Sequence, residues 1–93
     1  MIIIAEKTFK KSFKRLIKKS PHLQAKILAV LELLAENPFY PSLKSHKLTG
    51  QLHGLWSCSV TYSYRIIFTF RQDTELEEDV IVLIDIGDHD EVY

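Results

Sequence analysis

Cysteine, glycine and proline are scarce in this chain: its 93 residues include one cysteine, three glycines and three prolines. A single cysteine cannot form an internal disulfide, which favours a reducing compartment. No apolar run is long enough to cross a membrane, and the apolar residues 1–5 are too few for a signal peptide. We therefore expect a cytoplasmic protein without a membrane segment. There is no repeat, linker or low-complexity stretch.

Excess charge of either sign is also absent, because twelve basic residues balance twelve acidic ones. The distribution is uneven, however. Residues 1–47 contain ten Lys or Arg against three acids, and residues 48–93 contain two against nine. Such asymmetry predicts a polyanion or an acidic protein as the partner of the basic half. The length fits one domain over residues 1–93, and an apolar content of 46% is ordinary for a globular protein.

The N-terminal half predicts one strand and two helices. The β-branched residues 2–4 predict a strand, and Thr8 is expected to cap a helix that begins at Phe9. Ser20 and Pro21 predict the start of a second helix, and residues 37–38, Asn-Pro, predict its end. The first helix has one apolar face at helical spacing: Phe9, Phe13, Leu16 and Ile17.

The opposite face of the first predicted helix is almost entirely cationic. Its basic residues are Lys10, Lys11, Lys14, Arg15, Lys18 and Lys19. Like charges at i and i+4 destabilise a helix by roughly a few tenths of a kcal/mol per pair. A solvated surface is one interpretation; an anionic ligand is the other, with Lys10, Lys11, Lys14 and Lys18 as RNA contacts.

The C-terminal half predicts a sheet. Residues 43–48 favour a short strand, and residues 55–62 and 64–71 alternate in polarity and predict a hairpin. An acidic turn at residues 72–79 precedes the apolar run 80–86, which is typical of a strand buried on both faces. The order β-α-α-β-β-β-β predicts an α+β fold, with the two helices packed on one face of a mainly antiparallel sheet of four to five strands.

Alternation assigns residues of the hairpin to two faces. In the first strand, one face carries Trp56, Cys58, Val60 and Tyr62. The residues of the hairpin expected in the core are Trp56, Val60, Ile66 and Phe68. The other face is small, polar and cationic: Ser57, Ser59, Thr61, Arg65 and Arg71. A polar sheet face with two arginines suits a phosphate backbone. Cys58, on the core side, is interpreted as a packing residue rather than a nucleophile.

Two histidines are candidates for acid–base chemistry. His89 follows the apolar strand, and Gly87 is expected to let the chain turn so that His89 reaches the polar face. His46 lies between Lys44 and Lys47. Cleavage of RNA without a metal needs a base, an acid and a cation that stabilises the phosphorane. The two histidines could supply the proton transfers, and Lys44, Lys47, Arg65 and Arg71 the cations.

Simpler interpretations of these histidines remain open. A histidine among lysines is commonly only a surface residue, and His89 could lie in a frayed terminus. A metal site built from His46, His53 and His89 with Asp88 or Asp90 is a further alternative. The Cys/His spacings of structural zinc sites are absent.

Three blocks of sequence together resemble the RelE/ParE superfamily of toxin–antitoxin toxins. They are His-Lys-Leu-Thr-Gly at residues 46–50, the segment from Gly54-Leu55-Trp56-Ser57 to Phe68, and the terminal residues 86–93. The order of elements matches the family's microRNase-like fold over essentially the whole chain. The terminal block is similar to the YafQ-type and related RelE/StbE branches, and the middle block to the YoeB branch.

The resemblance implies a ribosome-dependent mRNA endoribonuclease that inhibits translation, uses no metal cofactor and leaves a 2′,3′-cyclic phosphate. It also implies a cognate antitoxin, bound in a hetero-oligomer, with the ribosome and mRNA as further partners. By position, His89 matches a C-terminal catalytic histidine and Tyr93 a terminal aromatic residue. His46 matches a histidine of the YafQ-type branch, and Arg65 a phosphate-binding arginine.

This chain also departs from the YafQ-type pattern. It has Ser59 and Ser63 where those proteins carry a further histidine and aspartate, so the division of acid and base roles between His46 and His89 stays open. ParE-type relatives share the fold but poison gyrase. A gyrase poison and a non-catalytic RNA-binding module are therefore the alternatives to the nuclease.

Overall fold

Five strands form one sheet in the computed structural model, which describes all residues from Met1 to Tyr93. The strands are β1 (Ile2–Ala5), β2 (His46–Lys47), β3 (Trp56–Ser59), β4 (Tyr64–Asp73) and β5 (Glu78–Asp88). Their order in the sheet is β1-β5-β4-β3-β2. Only the β1–β5 pair is parallel. The predicted α+β class with a mainly antiparallel sheet is confirmed, and β5 lies inside the sheet as expected.

Three helices accompany the sheet. They are α1 (Lys7–Lys19), α2 (Leu23–Glu36) and the short C-terminal α3 (His89–Val92). The apolar faces of α1 and α2 pack on one side of the sheet and form the core with it. This core contains Phe9, Leu16, Leu23, Ile27, Val30, Leu34, Leu43, Cys58, Val60, Ile66, Phe68, Ile81, Leu83 and Ile86. No helix is both long enough and apolar enough to traverse a bilayer.

The helix starts differ from those predicted. The first helix begins at Lys7 with Glu6 as its N-cap, because the backbone N–H of Lys10 already donates to Glu6 O at 3.1 Å. Thr8 is therefore inside the helix. Ser20 does not cap α2; its carbonyl accepts from Leu23 N at 3.0 Å in a turn, and the helix begins only at Leu23. The predicted stop is confirmed, since α2 ends at Glu36.

Several strand limits differ as well. The segment 43–48 contributes only the two residues of β2, because a 3₁₀ turn at Pro41–Leu43 and a left-handed Lys44 (φ 50°) occupy its start. Strand β3 ends at Ser59, so the prediction that the strand continues to Tyr62 is wrong. The chain turns there, and Val60 N donates to Tyr64 O at 3.0 Å. The acidic turn shrinks to residues 74–77, because Asp73 still pairs with Glu78.

The sheet face turned away from α1 and α2 is called the open face. Cross-strand pairing places two rows on it: His46, Ser57 and Ile67, and beside them Ser59, Arg65 and Gly87. The expectation of a small polar face holds only at this end. Farther along the strands, the same face carries Val80 and Val82, which are buried together with Ile67.

A bulge in β5 decides which residues reach the open face. Ile67 pairs with Asp85 and Phe68 with Leu83, so β5 has one extra residue at this point. Leu83 and Ile86, three positions apart, can therefore both lie in the core. Because of this shift, Gly87 rather than Ile86 lies on the open face next to Arg65.

Candidate active site

His89 is the first residue of α3 and is held firmly in place. Asp88 and Glu91 form a reciprocal capping box: Glu91 N donates to Asp88 Oδ1 at 2.8 Å, and Asp88 N donates to Glu91 Oε1 at 3.0 Å. The backbone N–H of His89 donates to Ser63 O at 3.0 Å, which ties α3 to the β3–β4 loop. These bonds contradict the alternative of a frayed C-terminus.

Gly87 contributes space rather than a turn. It lies inside β5, and its φ is not among the positive values of the chain. A Cβ added there would lie 3.1 Å from the Cβ of Glu91 and 3.2 Å from Cγ1 of Val92. The expectation that Gly87 lets the chain turn is therefore wrong. The missing side chain instead allows α3 to pack directly against the end of β5.

A series of contacts leads from His89 to His46. The ring of His89 meets the ring of Tyr93 edge to face, with centroids 4.5 Å apart. The Tyr93 hydroxyl is hydrogen-bonded to Oγ of Ser57, a fully buried side chain. Ser57 is in turn the cross-strand neighbour of His46. The two predicted histidines thus lie at the same end of the open face.

His46 has a defined tautomer when it is neutral. Its Nδ1 lies 3.0 Å from the carbonyl oxygen of Lys44. A carbonyl only accepts, so Nδ1 carries the hydrogen and donates it. The lone pair is then on Nε2, and the side chain is exposed to solvent. This is the arrangement that a general base requires.

Arg65 lies on the open face between Ser59 and Gly87. Its Nη1 donates to Thr61 O at 2.6 Å and to Tyr64 O at 3.2 Å, which holds the guanidinium in one orientation. A guanidinium has five N–H donors. Since both protein bonds use Nη1, Nε and Nη2 keep three donors for an anion such as phosphate.

Other predicted RNA-binding residues lie apart from this cluster. Lys44 adjoins His46, but Lys47 is on the helix side of the sheet, where its Nζ lies 5.7 Å from the ring centroid of Trp56. Arg71 is on the open face but six residues along β4 from Arg65, about 20 Å away at ~3.4 Å per residue. The structure therefore brings His46, Arg65 and His89 together, with Lys44 and Tyr93 next to them.

The α1 cations are on the helix side of the molecule. Lys10, Lys11, Lys14 and Lys18 are all exposed. The only ion-pair contact in the structure joins His89 Nδ1 to Asp90 Oδ1 at 3.7 Å. No carboxylate therefore lies within ion-pair distance of these lysines, although Asp85 borders the same hollow as Lys11.

The structure bears on two further expectations, the metal site and the role of Cys58. No group of three or more His, Cys, Asp or Glu residues is placed to hold a metal ion, so the suggested site from His46, His53 and His89 is not formed. Cys58 is fully buried in the core, and this burial raises the pKa of its thiol to about 12. Cys58 is a packing residue, as the sequence predicts.

Two residues at the site were missed by sequence reasoning. Ser57 anchors Tyr93, but nothing in an alternating run of serines distinguishes it from Ser59. Tyr62 is 95% exposed at the tip of the β3–β4 loop. A signal for Tyr62 was present: strands at 55–62 and 64–71 would leave one residue for the turn, too few for a hairpin loop.

Comparison with known proteins is consistent with this architecture. The model of a family described as "Bacterial toxin of type II toxin-antitoxin system, YafQ" matches residues 1–93. A search by sequence among curated proteins found no significant match.

Three solved structures illustrate the similarity of fold. E. coli YafQ is 19% identical, with a TM-score of 0.79 over 98% of this chain and 96% of that one. A YoeB/ParE toxin from Agrobacterium tumefaciens is 17% identical, with a TM-score of 0.78 over 96% and 99%. A chain of the E. coli DinJ-YafQ complex is 20% identical, with a TM-score of 0.71 over 98% and 96%.

Identities this low show a shared fold, whereas the family match extends over every residue of the chain. The chain belongs to the YafQ family of bacterial toxins of type II toxin–antitoxin systems.

Proposed function

We propose that this toxin is a ribosome-dependent mRNA endoribonuclease that inhibits translation. The observation that supports the proposal best is the grouping of His46, Arg65 and His89 at one end of the open face. This grouping supplies two proton-transfer groups and a cation. These are the groups needed when a ribose 2′-hydroxyl attacks the adjacent phosphate and the RNA is cut.

The tautomer of His46 and the neighbour of His89 suggest separate roles. His46 Nε2 takes the proton of the ribose 2′-hydroxyl, and the 2′-oxygen attacks phosphorus. The Nε and Nη2 groups of Arg65 bind the equatorial oxygens as negative charge collects on them. His89, whose Nδ1 lies 3.7 Å from Asp90 Oδ1, acts as the general acid and gives a proton to the departing 5′-oxygen. The P–O5′ bond breaks and a 2′,3′-cyclic phosphate remains.

We further propose that a cognate antitoxin binds this toxin in a hetero-oligomer. E. coli YafQ is found in a complex with DinJ. The exposed cations of α1, which form no ion pair within the chain, favour an antitoxin with acidic segments. Such a protein would also keep the nuclease inactive until it is released.

The proposal is tested by adding the purified chain to a translation extract and mapping the message by primer extension. We expect new 5′ ends within translated codons, none when ribosomes are omitted, and none when the antitoxin is added first. In parallel, the chain is added to a gyrase supercoiling assay. Loss of supercoiling with an intact message would establish the gyrase poison instead. Ribosome binding without either effect would establish a non-catalytic module.

The α1 lysines are expected to contact ribosomal or messenger RNA. Changing Lys10, Lys11, Lys14 and Lys18 to glutamine should weaken ribosome binding and flatten its dependence on salt. Each lost phosphate contact lowers the slope of log K against log salt by about 0.7–0.9. Ribosome pelleting at several salt concentrations measures the slope.

The control for these lysines is Lys26→Gln, which removes an exposed cation from α2 instead of α1. We expect a smaller change in slope for each removed charge in this variant. An equal change for each removed charge would show that only net charge matters, and an unchanged slope in the α1 variant would remove α1 from the binding surface.

A further inference from the structure

Tyr62 is the most exposed of the large hydrophobic side chains, with 95% of its surface accessible. The loop that carries it is nevertheless well fixed. Val60 N donates to Tyr64 O at 3.0 Å, and Tyr64 N donates to Thr61 Oγ1 at 3.2 Å. Arg65 Nη1 donates to Thr61 O from the other side, at 2.6 Å. An aromatic ring held out by a fixed loop is ready to bind a ligand at little cost in conformational entropy.

The ring of Tyr62 borders a cleft beside the proposed proton donor. The cleft has a volume of about 290 Å³ and is lined by Tyr62, Ser63, Asp88, His89 and Asp90. The bond from His89 N to Ser63 O joins its two sides. Small-molecule pockets span roughly 300–1,000 Å³, so this cleft suits a single flat group. His89 thus faces Tyr93 and also contributes to the wall shared with Tyr62.

The chemistry of the lining selects the kind of group. The carboxylates of Asp88 and Asp90 repel a phosphate, and no lysine or arginine lines the cleft. An aromatic face stacks on nucleobases of any kind. Asp88 already accepts from Glu91 N. Asp90 is fully exposed and can accept from an exocyclic amino group. Adenine, cytosine and guanine have such a group, and uracil does not.

We propose that this cleft binds the nucleobase next to the scissile phosphate, with Tyr62 stacked on its face and Asp90 at its amino edge. The inference rests on the proposed nuclease function. It adds Tyr62 as the residue that stacks on the base and Asp90 as the residue that determines base preference. The phosphate is bound at Arg65 on the open face, and the base is bound on the other side of His89, at the loop.

The test compares Tyr62→Ala, Tyr62→Phe and the control Tyr40→Ala in the translation extract. Tyr40 is 46% exposed and lies before the Pro41–Leu43 turn, away from the cleft. Stacking on one base contributes about 1–3 kcal/mol by alanine substitution, which is about 5- to 150-fold. We expect a cleavage rate lower by that factor for Tyr62→Ala, near wild-type rates for Tyr62→Phe and Tyr40→Ala, and less discrimination against uracil in Tyr62→Ala.

Each outcome of these assays either supports or overturns the inference that the cleft binds a nucleobase. Wild-type cleavage in Tyr62→Ala overturns the inference and leaves the nuclease proposal intact. An equal loss in Tyr62→Phe shows that the hydroxyl matters rather than stacking, and also overturns it. An equal loss in Tyr40→Ala shows an effect without relation to the cleft and has the same consequence. If the wild-type protein itself cuts no message, the proposed function fails, and this inference fails with it.

Discussion

Replacing His89 with alanine should reduce cleavage of translated mRNA by about 10²–10⁴-fold, the usual contribution of a general acid or base. The fold should survive, because the exposed ring lies outside the hydrophobic core and packs edge to face on Tyr93. The capping box uses the side chains of Asp88 and Glu91, which remain. Single-turnover cleavage on programmed ribosomes measures the loss, and ribosome pelleting and antitoxin capture should be unchanged.

His53 offers a matched control for this variant. It is an exposed histidine that follows the 3₁₀ turn Gly50–Leu52 and takes no part in the candidate site. His53→Ala should cleave at the wild-type rate. If His89→Ala is also fully active, His89 is not the proton donor, and the chemistry must be assigned to His46 and the cations near it.

The fold was predictable where side-chain periodicity is strong. In α1, apolar residues four apart specify one buried face, so the helix was found even though its cap was misplaced. The same applies to β4, where Ile66 and Phe68 alternate with Arg65 and Ile67. Helix starts were predicted less well, because Thr8 and Ser20 have capping side chains that the backbone does not use.

The candidate site was harder to predict, because its geometry depends on features that the local pattern does not show. The apolar run 80–86 has no alternation that could reveal the bulge opposite Ile67 and Phe68. That bulge decides whether Gly87 lies on the open face. The bond between Ser57 and Tyr93 joins residues 36 positions apart. The alternation of side chains along a strand does predict that Arg65 lies on the face opposite Ile66 and Phe68, and the structure agrees.

Replacing Arg65 with lysine should also lower cleavage strongly, although the charge is kept. The guanidinium binds Thr61 O and Tyr64 O through Nη1 and has Nε and Nη2 free for two phosphate oxygens. A lysine ammonium is a single point and cannot hold the loop and grip two oxygens at once. A lost hydrogen bond to a charged group costs about 1.5–3 kcal/mol, or about 10- to 150-fold in rate.

The control for the Arg65 prediction is Arg15→Lys, an identical exchange at an exposed position of α1, which should cleave normally. The measurement is again the single-turnover rate on programmed ribosomes, now with the salt dependence of ribosome binding recorded beside it. Because lysine keeps the charge, Arg65→Lys should bind ribosomes with the wild-type salt slope while cutting slowly. Cleavage at the wild-type rate would show that charge alone suffices at this position, and the two-oxygen contact would have to be abandoned.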